Sequence, residues 1–272
     1  MDRTLTVLHV SDFQCGAPFL PEAAEAMHRV ARKVSPDLVV ASGDLTQRAK
    51  WSEFAMAREL LNGFGDVPVV MTPGNHDVPL YRIWERVATP FRNWRRFAGE
   101  ALDTVTTIPG ATIVALASAA PRRAIVNGRI DDHQVDFARR AFGDAKASDV
   151  RILVVHHHFV PVPSGEGGKP LPGAEQLAEA FEQMGVDVVM GGHVHQLHLN
   201  SWHGVPFVAA GTTTSRRGRG VEAGGGNSLC VHRFDRSTLH VTPYHRAPDG
   251  AEFEAAATVD FSLKARSAAS LS

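Results

Sequence analysis

Short apolar, β-branched runs alternate with helix-period patterns through the first 195 residues. The runs are Thr4–Val10, Leu38–Ala41, Val67–Thr72, Thr112–Leu116, Ile152–Val155 and Val186–Met190. Each is continuous and bounded by Gly, Pro or Asp, which suits strands covered on both faces. Helical spacing fills the intervals over Glu22–Val34, Ser52–Phe64, Leu80–Phe97, Asp132–Phe142 and Glu175–Met184. In the first of these, Ala23, Met27, Val30, Ala31 and Val34 form one apolar stripe. Alternating strand and helix predicts a layered α/β fold.

The pattern changes after His195. Val205–Ala210, Ser228–Phe234 and Leu239–Tyr244 read as strands with no long helix between them, so an antiparallel, β-rich end is expected. Asn127-Gly128, inside Ala124–Ile130, is a hairpin signal. Gly218–Asn227 is a Gly-rich loop. The Ser- and Ala-rich end predicts one domain over residues 1–260 and a frayed tail over 261–272.

Composition narrows the class. A chain of 272 residues can bury a sizeable core without staples. Its 29 acidic and 28 basic residues nearly cancel, which gives no sign of a nucleic-acid or membrane surface. Two cysteines, Cys15 and Cys230, cannot build a disulfide framework, so a reducing compartment is expected. The N-terminus enters Leu5–Val10 almost at once and leaves no room for a signal peptide; a cytoplasmic location is expected. No apolar run approaches the roughly 18 to 20 residues of a membrane span. Histidine is the unusual count, at 14, and about half fall in or beside the motifs described next.

Five motifs follow the apolar runs in order: Asp12-Phe13-Gln14, Gly43-Asp44, Gly74-Asn75-His76-Asp77, His156-His157-His158 and Gly192-His193-Val194-His195. In open α/β sheets ligands bind beyond the carboxyl ends of strands, and every motif sits there. Residues distant in sequence therefore converge on one rim. They offer hard oxygen and imidazole donors, enough for two divalent metals.

With these motifs the sequence resembles the calcineurin-like metallophosphoesterases, over residues 5 to about 210. Gly43-Asp44-Leu45-Thr46, Gly74-Asn75-His76-Asp77 and the triple His resemble most closely the branch of class III cyclic-nucleotide phosphodiesterases and glycerophosphodiesterases. The resemblance implies a four-layer α/β/β/α sandwich and a binuclear site. One metal would be held by Asp12, Gln14, Asp44 and His195, the other by Asp44, Asn75, His156 and His193, with Asp44 bridging. Two metals about 3.5–4 Å apart lower the pKa of a shared water and neutralise phosphate oxygens. A hydroxide bridging them would attack a phosphodiester in line, giving a monoester and an alcohol. His76 would stabilise or protonate the leaving oxygen, and Asp77 could orient its imidazole. The expected substrate is a small phosphodiester, a cyclic nucleotide or a glycerophosphodiester. No nucleic acid or membrane partner is implied, and a homodimer stays open.

One position departs from the pattern. Position 14 is Gln where most of the family has His. A carboxamide oxygen is a harder, weaker donor, which favours Mn²⁺ as cofactor, with Mg²⁺ next, and Zn²⁺ or Fe²⁺ as alternatives. Gln here also occurs in the Mn-dependent ADP-ribose/CDP-alcohol diphosphatases, so a pyrophosphatase acting on nucleotide diphosphate compounds is the rival activity. A rival of another class is a decayed metal-binding module that docks a partner protein.

The plainer readings assign the remaining residues. His157 and His158 are expected beside the site rather than in it. His9, His28, His133, His203, His232, His240 and His245 carry no motif and are expected to be exposed or hydrogen-bonded without chemistry. Cys15 reads as a buried thiol. Arg216, Arg217 and Arg219 read first as a solvated basic loop and second as an anion receiver. Trp51, Trp84 and Trp94 read as packing residues.

Overall fold

The computed structural model describes residues 4–123, 126–162, 168–219 and 226–264. Two sheets lie face to face. The first has the order β12-β11-β10-β1-β2-β3, with β13 also on β11; the second has the order β4-β5-β6-β7-β9-β8. In chain order the first sheet takes β1 (Leu5–Val10), β2 (Leu38–Ala41), β3 (Val69–Met71), β10 (Asn227–Phe234), β11 (Thr238–Arg246), β12 (Glu254–Ala255) and β13 (Val259–Ser262). The second takes β4 (Thr104–Ile108), β5 (Ala111–Leu116), β6 (Val150–Val155), β7 (Val188–Gly191), β8 (His198–Trp202) and β9 (Val205–Ala209). The helices are α1 (Pro21–Val34), α2 (Trp51–Asn62), α3 (Ile83–Ala88), α4 (Arg92–Ala98), α5 (Asp132–Gly143) and α6 (Ala174–Gln183).

The period-2 alternation of the strands builds three apolar layers. Val7, Leu38, Val40, Ile113, Ile152 and Val154 meet between the sheets. Their neighbours Leu8, Val39 and Ala41 turn outward onto Met27 of α1 and Phe54 of α2. Val114, Leu153 and Val155 turn outward onto Phe142 of α5 and Phe181 of α6. The result is the expected four-layer α/β/β/α sandwich. Strands β1, β2 and β3 run parallel, as do β5, β6, β7 and β9, so their carboxyl ends share one rim.

Several expectations change. The helix expected over Leu80–Phe97 is two short helices, α3 and α4. Pro90 lies between them, and a residue before proline is pushed out of the helical region, so Thr89 ends the first at φ −141. The β-rich end is not wholly antiparallel: β9 runs parallel to β7, while β10 and β11 pair antiparallel. The expected tail boundary at residue 261 falls inside β13, which pairs with β11; residues 265–272 lie outside the described residues. Around Asn127-Gly128 there is a turn without strands, and Ala124 and Ile125 lie outside the described residues. Parts of the loops 164–173 and 218–227 lie outside them too. Strands β4, β8, β12 and β13 leave no continuous apolar run in the sequence. They sit at or near sheet edges, where half-exposed alternation or polar sequence replaces a continuous apolar run. Trp94 is a core residue, but Trp84 is 87% exposed.

Candidate metal centre

All seven expected donors meet at the shared rim. Asp12 and Gln14 follow β1, Asp44 follows β2, and Asn75 opens a 3₁₀ turn (Asn75–Asp77) after β3. His156 follows β6, and His193 and His195 follow β7. The loops that carry them are bent sharply. Of the eight described non-glycine residues with positive φ, five are Asp12, Gln14, Asp44, His193 and His195. Such backbone is costly and persists where the surroundings enforce it, typically at functional sites. Around Asp12 three consecutive threonines hold the loop. Thr212 Oγ1 donates to the Asp12 carbonyl at 2.6 Å, and Thr214 Oγ1 to the Phe13 carbonyl at 3.0 Å. Thr213 Oγ1 accepts the Ser11 amide at 3.1 Å. Nothing in the Thr212–Thr214 sequence announces that clamp. Gly74 and Gly192 admit the carboxylates: a Cβ on Gly74 would lie 2.1 Å from Asp44 Oδ1, and one on Gly192 2.5 Å from Asp12 Oδ2.

The donors form two overlapping groups. Oxygen or nitrogen atoms of Asp12, Asp44 and His195 lie within 4.8 Å of one another, and Gln14 Nε2 is 3.1 Å from His195 Nε2. On the other side, Asn75 Oδ1 is 3.0 Å from His193 Nδ1 and 3.3 Å from His156 Nε2. Asp44 touches both groups, with Oδ2 3.4 Å from Gln14 Nε2 and Oδ1 3.4 Å from His156 Nε2.

Backbone carbonyls fix two of the rings. A carbonyl only accepts, so His156 Nδ1–H donates to Ser42 at 2.8 Å and His195 Nδ1–H to Arg217 at 3.1 Å. Each ring then turns the lone pair of Nε2 into the site, the orientation that metal-binding imidazoles take. His193 is hemmed in by the rings of His156, His157 and His158, and its own amide donates to Asp12 Oδ2 at 3.0 Å. His157 and His158 stay outside the donor set, as expected; His157 Nδ1 pairs with Ser118 Oγ at 2.7 Å.

The electrostatics fit a bound cation. Asp12 and Asp44 are buried carboxylates, and such groups need a counter-charge. Asp12 Oδ1 is 3.1 Å from His195 Nε2 but out of line for a hydrogen bond, and accepts none from the described residues. Burial works against the charge of Asp12, yet His195, His156 and the Ser11 hydroxyl hold its carboxyl below the usual range. Burial also works against charging His156, but Asp44 and Asp12 push its pKa up. Burial, reinforced by His156, pushes His193 well down, keeping that ring neutral. Buried carboxylates that favour a proton on a neighbouring imidazole mark a site short of positive charge, which is the condition a metal relieves.

His76 lies beside the donors, with its amide on Asp44 Oδ1 at 2.8 Å. The expected partnership with Asp77 is absent. His76 Nδ1–H donates to the Gln47 carbonyl at 2.8 Å, and Nε2 is the nitrogen left for a ligand. Asp77 instead accepts from the amides of Gly74, Leu45 and Thr46 and from Thr46 Oγ1, all at 2.9–3.2 Å. The carboxylate thus ties its own turn, through Gly74, to the loop after β2, through Leu45 and Thr46, and its acceptor capacity is spent there rather than on the ring. Burial, then the charge of Asp44, raises the Asp77 pKa to about 7.

The sequence places Arg217 first in a solvated loop. It joins the site: its Nη1 donates to Gln14 Oε1 at 3.2 Å. Its place in a Gly-rich loop was the available signal, but which of three arginines would turn inward was not legible.

A two-sheet sandwich with seven metal-type donors on the carboxyl rim defines a metal-dependent phosphoester hydrolase. Residues 5–197 match the calcineurin-like phosphoesterase family, and the chain belongs to it. It is 25% identical over 258 residues to a probable cyclic nucleotide phosphodiesterase of Synechococcus, covering 87% of this chain and 95% of the relative. It is 27% identical over 227 residues to a probable cyclic nucleotide phosphodiesterase of Rhodococcus erythropolis, covering 78% and 71%. Among solved structures, a dimetal phosphatase from Danio rerio matches 96% of this chain and 99% of its own, with TM-score 0.67 and 10% identity. Yellow lupin purple acid phosphatase matches 96% with TM-score 0.73 and 14% identity, and this chain spans about half of it (54%). These two likenesses show the fold. Among the described residues no helix is long and apolar enough to cross a membrane.

Proposed function

We propose that the protein is a binuclear-metal-dependent phosphodiesterase that converts a cyclic nucleotide to a nucleoside monophosphate. The observation that carries it is the position of Asp44, within 3.4 Å of donors on both sides of the cluster. Asp12, Gln14, Asp44 and His195 would hold one metal, and Asp44, Asn75, His156 and His193 the other. When bound, the pair supplies an activated water and charge neutralisation at the phosphate. Mn²⁺ is the preferred metal on the donor set, since Gln14 and Asn75 add neutral oxygens where imidazole would favour Zn²⁺.

His76 handles the leaving group. With Nδ1–H held on the Gln47 carbonyl, the imidazolium form of the ring carries a second proton on Nε2, gives it to the departing alkoxide and is left as the neutral Nδ1–H ring. The two relatives named as probable cyclic nucleotide phosphodiesterases support a cyclic diester over a glycerophosphodiester.

The test is a comparison of initial rates on cyclic AMP, glycerophosphocholine and ADP-ribose in one Mn²⁺ buffer. Cyclic AMP should be cleaved fastest, and His76→Ala should slow it by about 10²–10⁴ in kcat with metal content unchanged. Faster cleavage of ADP-ribose would replace this reading with a pyrophosphatase. Absence of hydrolysis with any divalent metal would replace it with a partner-binding module.

A further inference from the structure

A cleft of about 910 Å³ lies away from the metal cluster. It runs between α4 with the residues before it and the connection from β5 into α5. Six arginines line it: Arg92, Arg95, Arg96, Arg122, Arg123 and Arg129. Three carboxylates, Glu100, Asp103 and Asp131, line it as well. We propose that this cleft is a second ligand site, built for a small molecule carrying two or more phosphate groups, such as a nucleoside diphosphate.

The carboxylates leave three arginines uncompensated. Arg129 pairs with Asp131, Arg123 reaches the same carboxylate at 4.0 Å, and Arg95 is 3.8 Å from Glu100. Asp103 accepts the Ala117 amide at 2.9 Å and Gln134 Nε2 at 2.7 Å. Arg92, Arg96 and Arg122 have no carboxylate within 4 Å among the described residues. Two of them are nonetheless held in place. Arg96 lies over the Trp51 ring at 3.9 Å, and Arg122 Nε donates to the Val87 carbonyl at 2.8 Å. Neither contact neutralises the guanidinium.

Three unneutralised guanidinium groups around one concavity, two of them held in place, repel one another, and an anion relieves that repulsion. Guanidinium forks match phosphate oxygens two at a time. The volume suits a single small ligand. Pro90, Phe91 and Pro121 add apolar wall, which suits an organic portion beside the phosphates. A nucleic-acid backbone fits less well. The chain has a formal net charge of −1, and the cleft's own carboxylates interrupt any continuous basic track.

The site can be tested without the catalytic centre. Full-length protein is dialysed against chelator and titrated calorimetrically with ADP, AMP, pyrophosphate and a single-stranded oligonucleotide. ADP should bind saturably, pyrophosphate should compete, and AMP should be weaker by about tenfold or more, the loss of one charge-assisted contact. Arg92→Ala and Arg96→Ala should each weaken ADP by a similar factor, with melting temperature and bis(p-nitrophenyl) phosphate hydrolysis of the metal-loaded protein unchanged. Arg92 and Arg96 are exposed, so both variants should fold. The proposal is overturned if neither ADP nor pyrophosphate binds, or if binding survives both substitutions. Tighter binding of the oligonucleotide than of ADP overturns it too. So does loss of hydrolysis in both variants, which would make the cleft part of the catalytic pocket. Because binding is read without metal, its failure leaves the phosphodiesterase proposal standing, and the reverse also holds.

Discussion

Arg217 holds Gln14 by its carboxamide oxygen, at 3.2 Å, while its own carbonyl accepts His195 Nδ1–H at 3.1 Å. One residue outside the donor set therefore orients two members of it. The carboxamide nitrogen is left facing His195 Nε2 and Asp44 Oδ2. For Gln14 to give oxygen to a metal, the amide must turn over, and its NH₂ would then face a guanidinium.

Arg217→Ala removes that competition and a nearby positive charge, while the backbone carbonyl that holds His195 remains. The variant should retain more Mn²⁺ through dialysis than the wild type, with half-saturation on the order of tenfold lower, the value of one charge-assisted contact. Metal analysis after dialysis checks it. Lower retention in the variant would mean that Arg217 supports the metal side rather than opposing it.

Asp44→Ala should lower metal content by more than one equivalent and abolish hydrolysis. Asp44 is 1% exposed and stands between the two donor groups, so its loss removes the link between them. It also accepts the His76 amide, so the turn that carries His76 loses an anchor. Elemental analysis showing wild-type stoichiometry in the variant would exclude a bridging role.

The layered fold and the meeting of the seven expected donor residues on one rim could be read from the chain because both rest on local signals. Buried parallel strands leave continuous apolar runs such as Ile152–Val155, and the motif residues sit where those runs stop. What could not be read is set by contacts across the fold. Gln47 offers His76 a backbone carbonyl, which any residue type would provide. The Thr212–Thr214 clamp meets Ser11–Phe13 some 200 residues away. Edge strand β8, His198–Trp202, carries polar residues because water covers part of it.

Asp77 shows the same limit from the other side. Its place next to His76 suggests a catalytic partner, but one of its four short contacts is with its own turn, at Gly74, and three are with Leu45 and Thr46 in the loop after β2. Asp77→Ala should therefore act on folding and on metal content together. Leaving buried amides without an acceptor costs about 1–3 kcal/mol each where water cannot replace it. Urea unfolding should show a loss of that order or more, alongside reduced metal retention. A variant with wild-type stability and metal content but low kcat would restore the catalytic role.

His9 on β1 and His232 on β10 are fully buried between the sheets, with His9 Nε2 on Ser42 Oγ at 3.0 Å and the two rings 3.4 Å apart at their nearest nitrogens. Burial lowers the His9 pKa to about 3 and puts His232 well below its usual value. Both are held neutral in the folded protein, whereas in the unfolded chain they take up protons near pH 6.5. The unfolded state therefore binds more protons below that pH, and stability falls as pH drops from about 6.5 toward about 3. Each such group contributes a slope of at most about 1.4 kcal/mol per pH unit. His232 Nδ1 has no partner among the described residues, so an apolar side chain of similar size loses little there. His232→Leu should match or exceed wild-type stability at pH 7.5. Its stability should also fall less steeply between pH 6.5 and 4.5, by up to that slope. Urea unfolding of chelator-treated protein at a series of pH values measures the difference. Parallel curves for the two proteins would show that the buried pair does not set the acid limit.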